Sequence, residues 1–314
     1  MANSSYAIGI DLGGTTVKGA LVDRKGNILE TFKVPSFADE GPDAVLNQIK
    51  STIKSLMSHA RSKKIKGVGI AAAGIVDQKT GVVKSPPNFK NWGSVPVGSI
   101  LTQSIGLPVL VENDANAAAI AEAKFGSGKN FPDFLFIIWG TGVGGGIILD
   151  GKIFHGPYGG AGEVGHISID YNGVPCKCGS RGCVEAYIGQ KYLSKRVAKE
   201  LLKHPKSKLT KYIDGELEPL HISLAAEEGD EFSKKVLIEA GNYLGYAIAG
   251  VMNTMDLRVT IIGGGVSAVG KFVYKAIQTT VKNYVLTPLK DGIIVLPAAL
   301  GNDAGVLGAA GLIL

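Results

Sequence analysis

The sequence predicts an α/β protein of two lobes, and three observations lead to this prediction. Apolar runs rich in β-branched residues alternate with longer segments of helical period, as in α/β proteins. The 314 residues exceed the size at which a single hydrophobic core stops growing. A strand, a glycine turn and a return strand occur twice, once near the start and again from residue 134. The repetition predicts two lobes with a cleft between them.

The first half is predicted to combine a glycine hairpin with buried strands and two helices. Strands are expected at about 6–12, 16–23, 28–34, 67–72 and 109–112, with an edge strand at 80–83, and helices at 41–62 and 115–125. Asn113 and Asp114 directly precede the second helix, where a capping residue is expected. Residues 1–117, joined by a C-terminal helix at 299–314, form the predicted smaller lobe.

The second half repeats the strand–turn–strand order and then becomes mainly helical. Strands are expected at about 134–139, 146–150 and 258–262, and helices at 190–204, 231–256, 267–286 and 303–313. A glycine run from Gly263 to Gly265 separates the last strand from the helix that follows it. Residues 118–298 form the predicted larger lobe.

Composition and charge narrow the class of protein. The net charge is +6, and part of the basic excess lies in residues 191–211. Few aromatic and arginine side chains accompany those lysines, so a solvated helix and loop explains them better than a nucleic-acid surface. No apolar run reaches the roughly 18 residues of a membrane span. Because the N-terminus also lacks a signal-peptide pattern and the cysteines are expected to be reduced, we expect a cytoplasmic protein without a membrane partner.

The three cysteines of the chain lie within eight residues, and a histidine precedes the first of them by ten positions. His166, Cys176, Cys178 and Cys183 together supply the four ligands of a tetrahedral structural zinc. A disulfide is the alternative, but it would leave one cysteine unpaired. A zinc hydrolase fits poorly, because four protein ligands leave no open coordination position. The cluster therefore predicts a closed Zn²⁺ site that fixes the His166 ring.

The chain has 44 glycines, about twice ordinary usage, and several lie in turns suited to binding phosphate. Backbone N–H groups in such turns form an anion-binding concavity, and threonine hydroxyls add donors. The predicted ATP contacts are Gly13, Gly14, Thr15 and Thr16 in the first turn, Gly140, Thr141 and Gly142 in the second, and Gly263, Gly264 and Gly265 in the third run. Asp11 is expected to hold Mg²⁺ through water, with Lys18 nearby as a charge partner or a surface lysine. Residues 140–145 also match a dinucleotide-binding fingerprint, but a return strand follows them where that fold requires a helix.

Asn113 and Asp114 stand at a strand end and helix start, where they either cap the helix or take part in chemistry. Phosphoryl transfer to an alcohol needs a carboxylate placed to accept the hydroxyl proton, and Asp114 fits this role as catalytic base. Asn113 could orient the acceptor hydroxyls through its amide. Glu163 and Glu185 flank the cysteine cluster and are expected beside the metal. There they and His166 would grip the vicinal hydroxyls of a sugar.

Taken together, these motifs resemble the ROK family of sugar kinases and repressors, within the actin-like (ribonuclease H-like) ATPase group. The resemblance covers nearly the whole chain and is most specific in Glu-Val-Gly-His and Cys-x-Cys-Gly-x-x-Gly-Cys-x-Glu, residues 163–185. It implies two actin-like lobes and ATP-dependent phosphorylation of a hexose, most closely glucose, at the 6-hydroxyl. It also implies a homodimer or tetramer in which Asp114 is the base and the sugar contacts include Asn113, Glu163, His166 and Glu185.

The resemblance is incomplete in a loop that the family places beside the sugar. Glucose-specific members commonly carry Pro-Gly where this chain has Ala73-Gly74, so N-acetylglucosamine, N-acetylmannosamine, mannose and fructose stay open as acceptors. Asn88 matches the family's next loop, and Asn88 and Gly74 are both expected to contact sugar. Repressor members carry a helix-turn-helix domain ahead of the first hairpin, which here starts at about residue 6, so no nucleic-acid partner is expected. A non-catalytic sugar sensor is the remaining alternative, and the intact Asp114 argues against it.

Overall fold

The computed structural model describes residues 5–60, 63–213, 215–265 and 270–314. It confirms the predicted mixture of helices and strands. The chain divides into two compact units. Unit 1 comprises Met1–Pro132, Gly146–Ala161 and Ala299–Leu314, and unit 2 comprises Asp133–Gly145 and Gly162–Ala298. No helix within the described ranges is long and apolar enough to cross a bilayer.

Strands and helices are interspersed along the chain, as in mixed α/β proteins. The strands are β1 (Ser5–Leu12), β2 (Thr16–Asp23), β3 (Ile28–Pro35), β4 (Lys64–Ala72), β5 (Ile75–Asp77), β6 (Val82–Lys84), β7 (Ser94–Val95), β8 (Val109–Asn113), β9 (Phe134–Trp139), β10 (Val143–Leu149), β11 (Lys152–Ile153), β12 (Val259–Gly263) and β13 (Ile294–Pro297). The helices are α1 (Pro42–Ala60), α2 (Val97–Ile105), α3 (Asp114–Phe125), α4 (Glu185–Ile188), α5 (Gln190–Leu201), α6 (Pro219–Glu227), α7 (Glu231–Met255), α8 (Lys271–Tyr284) and α9 (Ala304–Gly311).

The main sheet of unit 1 brings three predicted site segments to one edge. Its strand order is β3-β2-β1-β4-β8, and β4 runs parallel to both β1 and β8. The register pairs Leu12 with Ala72 and Ala72 with Asn113, so the three parallel strands end side by side. The first glycine turn, the loop at Gly74 and Asp114 follow these three ends. In open α/β sheets this carboxyl edge is the usual place for a ligand.

Helix α1 packs on this sheet because its apolar residues recur at helical spacing. Val45, Ile49, Ile53 and Leu56 are fully buried and fall on one stripe of the helix. They join the apolar residues of β1, β2 and β4 in one continuous core. Burial of each such side chain contributes roughly 1.5–3 kcal/mol, which makes this stripe a main source of stability for unit 1.

Helix α9 approaches β1 and β4 at backbone contact distance. A Cβ atom at Gly9 would lie 1.9 Å from a backbone oxygen of α9, and one at Gly69 would lie 1.7 Å from another, so only glycine allows this approach. A Cβ atom at Gly308 would lie 1.8 Å from the backbone oxygen of Ala117, which packs α3 against α9. This packing places the whole of α3 in unit 1, past residue 117. The predicted lobe boundaries stay a prediction.

Unit 2 is built on three parallel strands and a set of helices. Strand β12 pairs in parallel with β9 on one side and β13 on the other. Strand β10 begins in unit 2, and its last residues lie in unit 1, where they pair antiparallel with β11. Helices α7 and α8 pack closely, since a Cβ atom at Gly245 would lie 2.7 Å from the Cβ atom of Thr280.

The long elements follow the predictions, and the differences concern short elements and glycine-rich ends. Strand β10 begins at Val143 rather than 146, because strand glycines hide the alternation of side chains that marks a strand. The predicted edge strand at 80–83 corresponds to β6, which is the middle strand of a small antiparallel sheet of order β5-β6-β7. The sequence analysis missed α2, α4, α6, β5, β7, β11 and β13. The predicted helix end at 61–62 and helix start at 267–269 lie outside the described residues.

Candidate active site

The turn between β8 and α3 contains the helix cap, Asn113, and the predicted catalytic base, Asp114. Asn113 caps α3, because its Oδ1 accepts hydrogen bonds from the backbone N–H groups of Ala115 at 2.9 Å and Asn116 at 3.2 Å. Its Nδ2 donates to the backbone oxygen of Gly74 at 3.1 Å, which ties two predicted sugar contacts together. The predicted helix cap is therefore confirmed at Asn113, and Asp114 Oδ1 also accepts a hydrogen bond from the Ala115 N–H at 2.9 Å.

Two carboxyl groups with raised pKa values lie at this edge of the sheet. The Asp114 side chain is exposed on one side, yet desolvation by the atoms packed around its other side raises its pKa, against the lowering effect of nearby hydrogen bonds. Burial, followed by the negative charge of Asp114, raises the pKa of Asp11 to about 6, while Lys18 acts in the opposite direction. A divalent cation at this edge would favour the ionised form of both carboxyl groups.

Lys18 is a charge partner rather than a free surface lysine. Its Nζ lies 2.6 Å from Asp303 Oδ1 and donates to the backbone oxygen of Asn302 at 2.9 Å. The start of α9 also reaches Asp11, since a Cβ atom at Gly305 would lie 2.5 Å from Asp11 Oδ2. Sequence analysis missed Asp303, because it stands 285 positions from Lys18 and no local pattern links the two.

The first glycine turn borders an open recess. The Gly13 N–H donates to the backbone oxygen of Thr16 at 2.9 Å and closes the turn. A Cβ atom at Gly14 would lie 3.1 Å from the Cβ atom of Asn88, so the predicted sugar contact at Asn88 stands beside the predicted phosphate turn. The recess has a volume of about 570 Å³ and is lined by Gly14, Thr15, Asp39, Asn88, Phe89 and Lys90. Thr15 is exposed there, which leaves its hydroxyl accessible to a ligand.

Sequence analysis also missed a buried acid and its partner directly behind this edge. Glu112 is 2% exposed, and its Oε2 lies 2.7 Å from Nε2 of His155. The available signal was a glutamate at the end of an otherwise apolar strand, immediately before Asn113. A buried carboxylate needs a specific partner, and His155 is that partner here.

In unit 2, the second glycine turn is packed against Glu185. The Gly140 N–H donates to the backbone oxygen of Gly142 at 3.0 Å. Glu185 Oε2 accepts a hydrogen bond from the Val143 N–H at 2.9 Å, and a Cβ atom at Gly142 would lie 2.4 Å from the same oxygen. Glu185 is therefore held at the turn by the Val143 N–H, and a side chain at position 142 would displace its carboxylate. Thr141 is exposed on the open side of the turn.

The third glycine run lies against the end of β9, where the second turn begins. Gly264 has a φ of +93°, and a Cβ atom there would lie 2.2 Å from the backbone oxygen of Trp139. Gly263 is closely packed as well, with Ala298 3.1 Å from its Cβ position, whereas Gly265 is exposed. The structure therefore brings the second and third predicted nucleotide segments together within unit 2.

The cysteine cluster has the geometry of a four-ligand metal site. The ligand atoms of His166, Cys176, Cys178 and Cys183 all lie within 4.8 Å of one another, and the three cysteines are free thiols. The Sγ atoms of Cys178 and Cys183 are 3.6 Å apart, and Cys176 Sγ lies 3.9 Å from His166 Nδ1. Tetrahedral zinc with ordinary bond lengths requires separations of about 3.6–3.8 Å, so the arrangement fits the ion.

The predicted sugar-binding residues are divided between the two units. Glu163 is exposed and precedes the short turn Val164–His166, and its backbone oxygen accepts a hydrogen bond from the His166 N–H at 3.1 Å. Gly74, Asn88, Asn113 and Asp114 belong to unit 1, whereas Glu163, His166 and Glu185 belong to unit 2. Their convergence on one sugar stays a prediction.

Comparison with known proteins places this arrangement in a family. The sequence pattern that defines the ROK family matches residues 7–314. The chain belongs to the ROK family. A ROK relative, the glucokinase of Halalkalibacterium halodurans, is 36% identical over 313 residues, which is 98% of this chain and 94% of the relative. The xylose repressor of Bacillus subtilis is 29% identical over 314 residues, which is 99% of this chain and 77% of the repressor.

A solved ROK structure confirms the predicted fold class. The crystal structure of the ROK glucokinase from Streptomyces griseus, in complex with glucose and AMPPNP, matches with a TM-score of 0.83 at 36% identity. The match covers 98% of this chain and 99% of that one. The ROK chain described here therefore has the actin-like α/β ATPase fold of these sugar kinases.

Proposed function

We propose that this ROK protein is an ATP-dependent glucokinase, which transfers the γ-phosphoryl group of ATP to the 6-hydroxyl of glucose. The observation that carries the proposal is the placement of Asp114 beside a glycine turn at the carboxyl edge of the unit 1 sheet. Its support is the 36% identity to a glucokinase over 98% of the chain, which covers both the acid and the glycine turns.

Asp114 acts as the base of the transfer. It accepts the proton of the sugar hydroxyl while the new oxygen–phosphorus bond forms and the bond to the ADP oxygen breaks, so that ADP leaves. Desolvation raises the pKa of Asp114, which makes its carboxylate a stronger base than an ordinary surface aspartate. The acid must be ionised to act, so turnover falls as the pH drops through that raised pKa.

The proposed sugar contacts combine hydrogen-bond donors and acceptors. Asn113 uses its Oδ1 to cap α3 and its Nδ2 to bond Gly74, and the same Nδ2 group is the donor that we propose for a sugar hydroxyl. The further sugar contacts are Gly74, Asn88, Glu163, His166 and Glu185. Carboxylates accept from hydroxyls and the histidine ring can donate to them, so the set matches the vicinal hydroxyls of a hexose.

The nucleotide is held by the glycine segments, and its metal by Asp11. The accessible residues of the first and second turns, including Thr15 and Thr141, would donate to phosphate oxygens. Lys18 and the third run complete the predicted ATP contacts. Asp11 fits a Mg²⁺ ion through water, because its carboxyl has a raised pKa that a cation would offset. Bound Mg²⁺ supplies neutralisation of the phosphate charge.

We also propose that the four-ligand cluster holds structural Zn²⁺. The Nδ1 atom of His166 faces the cysteines, so its Nε2 atom is the one left to meet the sugar. Burial raises the pKa of the Cys183 thiol to about 12, so zinc binding is expected to release a proton there. The ion would fix the ring orientation of His166 rather than activate water, because all its positions are filled.

The experiment that tests the function is ADP release from Mg-ATP with each of five sugars: glucose, mannose, fructose, N-acetylglucosamine and N-acetylmannosamine. The proposal expects the highest kcat/KM with glucose. A preference for another sugar would keep the kinase and change its acceptor, as Ala73 in place of proline allows. No release with any sugar from folded, zinc-loaded protein would reject the kinase and favour a sugar sensor. A homodimer or tetramer is the assembly we propose, and light scattering tests it.

A further inference from the structure

Glu112 is a buried carboxylate at which four segments of unit 1 meet. Its Oε1 accepts hydrogen bonds from the backbone N–H of Asn113 at 2.9 Å and from Nδ2 of Asn116 at 3.1 Å. Nε2 of Gln78 lies 3.5 Å from the same oxygen, and Nε2 of His155 lies 2.7 Å from Oε2. These partners come from the end of β8, the first turn of α3, the segment after β5 and the segment after β11.

The charge of this carboxylate has one partner within the described part of the chain. The Glu112 side chain is 3% exposed and that of His155 is 30% exposed. Asn113, Asn116 and Gln78 contact Glu112 through neutral groups, so His155 is the charged group that faces it. Glu112 is in turn the titratable group in contact with His155. Loss of one member would leave the other as an uncompensated charge.

The contact between Glu112 and Asn113 connects the Glu112–His155 pair to the proposed catalytic base. The Glu112 carboxylate holds the N–H of the residue that directly precedes Asp114, the proposed base. Without His155, Glu112 would be a buried charge without its counter-ion and would turn towards water. That movement weakens its hydrogen bond to Asn113 and releases the turn that carries Asp114.

The loop that follows His155 is anchored on the same junction. The Ala161 N–H donates to the backbone oxygen of His155 at 3.0 Å, which closes the loop at its base. A Cβ atom at Gly159 would lie 3.7 Å from Oε1 of Gln78, so the loop also packs beside a second partner of Glu112. His155 is therefore held in place from both sides rather than resting as a mobile surface residue.

We propose that His155 is a positioning residue, which as the counter-ion of Glu112 holds the Asn113–Asp114 turn in the geometry that phosphoryl transfer requires. This inference rests on the proposed function. His155 touches neither sugar nor nucleotide in this scheme and acts through Glu112 and the backbone of Asn113.

The pair has a pH signature that a purely structural contact lacks. The hydrogen bond and the charge of Glu112 raise the pKa of His155, so the imidazolium persists to higher pH than that of a free histidine. Positioning is complete below the ordinary histidine pKa and is lost as the pH rises through the raised one. The neighbouring Asp114 and Asp11 titrate on the acidic side, so they shape the other limb of the profile.

The test measures kcat and KM for glucose and ATP across pH in wild type, His155→Gln, Glu112→Gln and the double variant. Because a small displacement of a reacting group costs up to about 100-fold in rate, we expect His155→Gln to lower kcat roughly 10- to 100-fold. The KM for ATP should stay unchanged, and the alkaline limb should disappear. The double variant should lose no more than the worse single variant, since the two residues act as one unit.

The controls separate positioning from folding. His59→Gln removes an exposed histidine of α1 and should keep wild-type kcat and pH profile. If His155→Gln fails to fold, His155→Lys, which keeps a cation, decides the question: kcat above that of Glu112→Gln supports the inference, and an equal loss overturns it. Active wild type with an unchanged His155→Gln profile, or additive losses in the double variant, overturns the inference alone. Wild type inactive on every sugar rejects the proposed function and the inference together.

Discussion

The two glycine turns of the molecule share one sequence pattern and are held by different physical means. Around the first turn, between β1 and β2, the neighbours are charged: Asp11 has a raised pKa, and Lys18 is paired with Asp303. Around the second, between β9 and β10, the neighbours are packed. Gly142 fits against Glu185, and Gly264 fits against the backbone at the end of β9.

The repeated glycine pattern therefore predicts a turn in both places, but it does not predict which groups surround each turn. At the first turn, a change of charge can alter chemistry and pH response while the chain keeps its shape. Beside the second turn, a methyl group added at Gly264 would collide with the backbone oxygen of Trp139, which cannot turn aside as a side chain can. We therefore expect substitutions of the charged residues beside the first turn to act on turnover and titration, and substitution of Gly264 or of a cluster cysteine in unit 2 to act on stability and metal content.

The strongest test of the chemical side is Asp114→Ala. Because a positioned general base contributes about 100- to 10,000-fold, kcat should fall by about 1000-fold. Glucose binding, measured by calorimetry, should persist, since Asn113 and its cap remain. The control is Asp43→Ala, an exposed acid at the start of α1, which should keep full turnover. Retained turnover in Asp114→Ala would show that Asp114 is not the catalytic base.

The metal site is the strongest test of the structural side. Cys178→Ser removes one of four ligands, so zinc affinity should fall at least about tenfold and the melting temperature should drop, because metal binding is coupled to folding. The KM for glucose should rise as the His166 ring loses its support. Atomic absorption, thermal unfolding and kinetics measure these effects. Lys177→Ala, an exposed neighbour in the same loop, is the control. Equal metal content in both variants would contradict the zinc assignment.

A pair of neighbouring glycines tests the packing of unit 2 directly. Gly264→Ala combines a φ of +93° with a Cβ atom 2.2 Å from the Trp139 oxygen, so it should cost about 2–4 kcal/mol of unfolding free energy. Gly265→Ala is the matched control, since its Cβ atom meets no described atom within 4 Å. Urea unfolding compares the two. Equal stability of Gly264→Ala and Gly265→Ala would show that the packing beside the second turn tolerates an added methyl group. The contrast between the two turns would then weaken.

The smallest expected effect concerns the titration of Asp11. A folded-state pKa of about 6, against 3.8 for the free side chain, means that the folded protein holds this proton more tightly than the unfolded chain. Stability should therefore fall as the pH rises from about 4 to about 6, by on the order of 1–2 kcal/mol. Asp11→Asn should reduce this slope in denaturant titrations at each pH without nucleotide, and the slope that remains is the part contributed by Asp114 and other groups. Asp43→Asn should keep it, and a slope unchanged in Asp11→Asn would assign it to other groups.

The elements with a long regular pattern could be predicted from the sequence. Helix α7 and the strands of the first hairpin follow from their periodicity, and their bounds agree with the prediction within about one residue. Helix α1 agrees at its start, and its predicted end lies outside the described residues. The clustering of His166 with the three cysteines was predicted from residue type and spacing, and the structure brings their ligand atoms within 4.8 Å of one another, while the bound Zn²⁺ stays a prediction. The family motifs then predicted the fold class, which the comparisons confirm.

The tertiary structure alone decided which distant residues meet. The pairing of Lys18 with Asp303, the burial of Glu112 beside His155 and the fit of Gly142 against Glu185 join segments that lie 42 to 285 positions apart. A sequence pattern reports local periodicity, whereas these contacts depend on which strands are neighbours and on how closely helices pack. Local sequence therefore predicts the helices and strands. The surroundings that shift a pKa or exclude a methyl group form only when these elements pack together.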